Sequence, residues 1–81
     1  MTEDDIIAVI REAVREETDN SAAEVVATTT SSEIAGWDSL AHVRIVINVE
    51  SRLGTAIEIA ETYSARNVGE LAELILKAMA R

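Results

Sequence analysis

Apolar side chains recur every three or four positions in three stretches of this chain. In the first, Ile6, Ile7, Ile10, Ala13 and Val14 share one face, and Arg11, Glu12, Arg15 and Glu16 occupy the other. Thr2 followed by Glu3, Asp4 and Asp5 supplies a cap, a third-position acid and negative charge at the positive end of the helix dipole. The pattern predicts a helix over residues 3–17, ended by the polar cluster Thr18-Asp19-Asn20-Ser21. In the second stretch Asp38 is the N-cap and Ser39 the first helical residue. Val43, Val46, Ile47, Val49, Glu50 and Leu53 then fall at helical spacing, and Gly54 provides the stop. Residues 45–49 alone have the composition of a buried strand, but the length, the capped start and the glycine favour a helix. In the third, Asn67 caps and Glu70 completes a capping box. Val68, Leu71, Ala72, Leu74, Ile75 and Ala78 form the inner face, with Lys77 and Arg81 complementing the C-terminal dipole.

The connections are less regular. Residues 18–37 form a long link in which residues 22–26 have the composition of a brief helical turn. The hydroxyl run over residues 28–32 has no periodicity and reads as a solvated linker, with Ile34 and Trp37 as anchors. Residues 55–59 alternate like a strand, yet no second strand is available to pair with them, so they read as an apolar loop against the helices. A short helix is expected over residues 61–66. The sum is an all-α fold: one domain over residues 1–81, without an internal repeat.

Composition narrows the function. A chain of 81 residues buries only roughly 60–65% of its unfolded surface, so its core is thin. There is no cysteine to staple it, which also removes any thiolate metal site and mildly favours a reducing compartment. No apolar run approaches the roughly 20 residues that span a bilayer, and the acidic start is unlike a targeting peptide. The expectation is a soluble, cytoplasmic monomer without membrane insertion. The net charge of −8 argues against nucleic acid, which needs clustered Lys and Arg. That charge is lopsided: residues 1–40 hold ten acids and two bases, whereas residues 41–81 hold five of each.

The candidate chemistry gathers at Gly36-Trp37-Asp38-Ser39-Leu40. A hydroxyl on the first turn of a helix is exposed, and the backbone N–H groups there favour a phosphate attached to it. Asp38 is an acid with which a modifying enzyme can bind a metal ion shared with an incoming phosphate. Asp38, Ser39 and His42 are also the residue types of a hydrolytic triad. A serine hydrolase, however, needs a strained G-x-S-x-G elbow, and no glycine follows Ser39. His42 reads as an exposed neighbour rather than a base. Trp37 reads as a loop anchor with its indole N–H near water, or else as a substrate contact. Leu40, Arg44, Ile47 and Ser51 follow Ser39 along one side of the helix; they are a partner surface if that side faces outward and core if it faces inward.

Taken together, Asp38-Ser39-Leu40, the Val/Ile helix ending Glu50-x-x-Leu53-Gly54, Ile57 and Asn67-Val68-x-x-Leu71 resemble the acyl carrier proteins. The register of that resemblance holds without gaps from Gly36 to about Ile75. It implies a four-helix bundle with a short third helix and a long first loop. It implies no catalysis: Ser39 accepts 4′-phosphopantetheine from coenzyme A through a phosphopantetheinyl transferase. The thiol of that arm then carries acyl groups to acyl-loading and acyl-processing enzymes. Trp37, Leu40, Arg44, Ile47, Glu50 and Ser51 become the candidate recognition face. Carriers of fatty acid synthesis usually present an acidic second helix. Here that helix holds Ala41, Arg44, Ser51 and Arg52, with Glu50 the main acid, which points to polyketide, nonribosomal peptide or other specialised partners. A small acidic interaction module without cofactor is the alternative.

Overall fold

In the computed structural model, which describes residues 1–80, four α-helices and one 3₁₀ turn account for the regular structure. Helix α1 spans Glu3–Glu17, the 3₁₀ turn Ser31–Glu33, α2 Ser39–Leu53, α3 Ile59–Thr62 and α4 Val68–Met79. The all-α expectation holds, and no strand occurs among the described residues. Arg81, expected to complement the last dipole, lies outside them.

The helix starts follow from their caps. Asp5 N–H donates to Thr2 Oγ1 at 3.2 Å and Thr2 N–H donates to Asp5 Oδ2 at 2.8 Å, a reciprocal capping box. Ala41 N–H donates to Asp38 Oδ1 at 2.8 Å, and Glu70 N–H donates to Asn67 Oδ1 at 2.9 Å. Gly54 ends α2 in the left-handed region at φ 64°, where a Cβ would be strained.

Helix α1 lies at the centre, packed on both α2 and α4, while α3 packs on α4. Its buried residues are the five expected, Ile6, Ile7, Ile10, Ala13 and Val14. In α2 the inward stripe is Ala41, Ile45, Val46 and Val49. Ile47, which shares the helical spacing, turns outward, and Val43 and Leu53 are only half-buried. In α4, Val68, Leu71, Ala72 and Ile75 are buried, with Leu74 and Ala78 at the margin.

The first loop departs most from its sequence reading. Residues 23–26 make no helical turn; Ala23 and Val25 are buried and Glu24 and Val26 exposed, the alternation of extended backbone. Their carbonyls are satisfied from α1: Arg15 Nε donates to Ala23 O at 2.9 Å, and Arg11 Nε donates to Val25 O at 3.1 Å. The hydroxyl run is not a solvated linker. Thr29 is buried, its Oγ1 accepts from Val26 N–H at 2.9 Å, and the run continues into the 3₁₀ turn. Val68 N–H donates to Thr29 O at 2.9 Å and Gly69 N–H to Ala27 O at 2.8 Å, so the loop satisfies two free donors at the start of α4. Gly69 permits this approach; a Cβ there would stand 3.0 Å from Ala27 O. Ile34 anchors the loop as expected, buried in the core.

Helix α3 begins two residues earlier than expected and ends four earlier. Ile59 is drawn against the core, which sets its register, and Thr62 Oγ1 donates back to Ile59 O at 2.6 Å. Ser64 N–H and Ala65 N–H then bond three residues back, to Glu61 O and Thr62 O, closing the segment as turns.

Candidate functional site

Ser39 is the first residue of α2 and its side chain is exposed. Asp38 spends its Oδ1 on Ala41 N–H and its carbonyl on His42 N–H at 2.9 Å. The N–H groups of Ser39 and Leu40, also in the first turn, remain for an anion attached at the Ser39 hydroxyl. Beside Ser39 opens a cleft of about 220 Å³. Its walls include Thr29 and Ser31 from the first loop, His42 from α2, Thr62 from α3, and Arg66 and Asn67 before α4, with Val68 and Leu71 among its apolar lining. Ser39 thus stands beside a groove of mixed polar and apolar lining.

The histidine is not the exposed neighbour that the sequence suggested. It is half-buried, and its Nδ1 accepts the indole N–H of Trp37 at 3.1 Å. Trp37 therefore does not leave its N–H to water; it packs against the core and spends that donor on His42. On the other side of the imidazole, Nε2 lies 2.8 Å from Thr62 Oγ1. The rings lie in sequence, Trp37 and His42 stacked with centroids 6.1 Å apart and Tyr63 tilted by 37° against His42 at 4.7 Å. Burial pushes the His42 pKa below its ordinary value, since the charged ring would lose solvation. With both nitrogens engaged elsewhere, His42 makes no bond to Ser39, and Asp38 makes none to His42 through its side chain. The triad geometry is absent.

The outer side of α2 is now assigned. Leu40 and Ile47 are 60% and 52% exposed, and Arg44 and Ser51 are exposed beside them. Among the described residues Arg44 forms no ion pair. Arg52 is committed: its Nη2 lies 2.6 Å from Glu16 Oε1, and its Nε donates to Asn48 Oδ1 at 2.7 Å. Glu50 is also committed, because its Oε2 accepts Ile57 N–H at 2.6 Å and so ties the loop after α2. The structure thus brings Trp37, Asp38 and Ser39 together at the cleft, strings Leu40, Arg44, Ile47 and Ser51 along one outer face, and turns Glu50 to a structural task.

Sequence reasoning missed Thr62, Tyr63 and Arg66 at the site. Thr62 lies twenty residues from His42, and no local spacing signals that pairing.

Three comparisons bear on this geometry. A family model described as the phosphopantetheine attachment site matches residues 8–75. The chain belongs to that family. A solved structure, the holo acyl carrier protein from Geobacter metallireducens determined by solution NMR, superposes with a TM-score of 0.79 at 26% identity. That match covers 94% of this chain and 87% of the other. A search of curated proteins finds no match. This protein is accordingly an acyl-carrier-type protein: its prosthetic group is 4′-phosphopantetheine, and it is a substrate of a phosphopantetheinyl transferase rather than an enzyme. Acyl-processing enzymes are its partners in general terms. Among the described residues no helix is long and apolar enough to cross a membrane and no group of three His, Asp or Glu is placed to hold a metal.

Proposed function

We propose that Ser39 is the attachment residue and that residues 1–81 act as one carrier domain, presenting acyl thioesters to biosynthetic enzymes in turn. The observation that carries this reading is the position of Ser39: exposed, first in a capped helix of 15 residues, and beside a cleft lined by both polar and apolar side chains. When bound, the phosphopantetheine group supplies the thiol that a cysteine-free chain lacks. The chain's own residues then do three things. The N–H groups of Ser39 and Leu40 face the phosphodiester, the cleft receives the stem, and Asp38 meets the transferase during modification. In this reading the protein works in the cytoplasm, as a monomer that visits several enzymes.

The outer face of α2 favours specialised acyl or aminoacyl pathways over fatty acid synthesis. It offers Leu40, Ile47, Ser51 and the unpaired Arg44, with Trp37 near its start, and no uncommitted acid. A partner for it carries an apolar pocket and a carboxylate instead of a basic patch. The test of the carrier reading is incubation with coenzyme A and a broad phosphopantetheinyl transferase, followed by intact mass. Gain of one phosphopantetheine, lost in Ser39→Ala, is expected. A folded protein that gains nothing would leave the cofactor-free interaction module.

A further inference from the structure

The hydrogen bonds through His42 fix more than its position; they fix its protonation pattern. An indole N–H can only donate, so His42 Nδ1, 3.1 Å from Trp37 Nε1, is the bare acceptor nitrogen. In the neutral ring the proton is then on Nε2. Thr62 Oγ1 donates its own hydrogen to Ile59 O at 2.6 Å, which leaves a lone pair to receive Nε2–H at 2.8 Å. The series runs in one direction, Trp37 to His42 to Thr62 to the Ile59 carbonyl, and every donor has one acceptor. It joins the end of the first loop, the first turn of α2 and the whole of α3.

Helix α3 is a single turn of four residues, too short to hold itself together. Its Thr62 is 2% exposed, so a hydroxyl left unbonded there would be costly. The next residue, Tyr63, lies against the His42 ring and lines the Ser39 cleft with Thr62 and His42.

We infer that His42 is a positioning residue: held as the Nε2–H tautomer, it fastens α3 to the Ser39 end of α2 and so fixes one wall of the cleft beside Ser39. The consequence for the attached arm rests on the attachment reading above, whereas the clamp itself can be measured without any arm.

The experiment uses nitrogen-15-labelled apo protein at neutral pH. Imidazole spectra are expected to show bare Nδ1 and protonated Nε2, and Trp37→Phe to turn this into a mixture of tautomers. Amide exchange at Ser64 and Ala65, relative to α1, should rise roughly two- to tenfold in Thr62→Val and in His42→Leu, the range expected for one lost hydrogen bond. Thr62→Ser, which keeps the hydroxyl, should restore the slow rate even if the valine variant folds poorly. After modification of Ser39, the Tyr63 and Arg66 resonances should shift in the parent and shift less in Thr62→Val. A mixed or Nδ1-protonated ring in the parent, exchange unchanged by His42→Leu, or a loaded parent whose cleft residues do not respond would each overturn the inference. Failure of Ser39 to load would instead overturn the attachment reading, with the tautomer and exchange results standing.

Discussion

Arg52, near the end of α2, reaches Glu16, near the end of α1, with Nη2 to Oε1 at 2.6 Å. Asn48 completes the contact, donating to Glu16 Oε1 and Glu17 Oε2, both at 2.9 Å. This pairing takes Arg52 out of contention as a docking charge. It leaves Arg44 as the cation that α2 offers a partner, flanked by exposed Leu40 and Ile47.

The two arginines should therefore behave differently. Arg44→Glu should change turnover with processing enzymes, raising it with enzymes whose docking patch is basic. Arg52→Gln should leave turnover unchanged and slightly lower stability, by the small amount of an exposed pair. Steady-state kinetics of each loaded variant check this. Equal effects of the two substitutions would show that docking charge on α2 is not confined to Arg44.

Trp37 is the sole tryptophan and bonds directly to His42, so its emission reports the imidazole. Protonation puts a hydrogen on Nδ1, where Trp37 already donates, and breaks that bond. The charged groups that line the same cleft as the ring are Asp38, bonded to Ala41 N–H, and Arg66, paired to Glu70 at 2.9 Å, with Tyr63 tilted against the ring. Burial keeps the pKa below its ordinary 6.5, so the emission change on acidification should have its midpoint below that pH. A midpoint at or above it would mean that the ring is solvated and the bond to Trp37 is not formed.

Stability should fall in two stages as pH is lowered. His42 is lowered in the folded state, so the unfolded chain takes up its proton first, and stability present above pH 6.5 is lost as pH falls through the folded value. Four carboxylates follow. Bonds from Thr2 N–H to Asp5, from Asn48 and Arg52 to Glu16, from Thr30 N–H to Glu33 and from Arg66 to Glu70 hold each below its ordinary range. Their contribution is present above their ordinary values of 3.8 for Asp5 and 4.5 for the glutamates, and is lost as pH falls further. Urea midpoints measured from neutral pH downward should show both declines, and His42→Leu should remove the first. A single decline confined to the lower range in the parent would contradict the placement of His42.

Gly69→Ala should destabilise despite alanine's better helix propensity. The gain is about 1 kcal/mol, but the new methyl would stand 3.0 Å from a backbone oxygen and 3.3 Å from Ala27 Cβ, a crowding that costs about 1–3 kcal/mol. A net loss of about 1 kcal/mol in chemical denaturation is expected, with faster exchange at Val68 and residue 69. A gain in stability would show that the loop is not pressed on α4.

The parts of this fold legible in the sequence are those decided within four residues. The caps at Thr2, Asp38 and Asn67 bind donors three positions on, the α1 stripe buries what its spacing predicts, and the α4 stripe does so except at Leu74 and Ala78, which stay at the margin. Helix α2 was legible in extent but not in facing, because Ile45 and Ile47 are equally apolar and only packing on α1 distinguishes them. The loop was misread because its carbonyls are satisfied by Arg11 and Arg15, fourteen and eight residues away. The places of Asp38 as cap and Ser39 as first residue of α2 are legible from the local sequence. That of His42 is not, because its environment comes from Trp37 before the cap and from Thr62 and Tyr63 at the end of α3.

The central claim is that the prosthetic group goes on Ser39, although Thr29 and Ser31 offer hydroxyls to the same cleft. Fragment-ion mass spectrometry of the modified protein locates the added group directly. The account predicts one phosphopantetheine on the fragment bearing Ser39 and none on fragments from residues 28–32. A modified hydroxyl anywhere else, or loading that persists in Ser39→Ala, would contradict it.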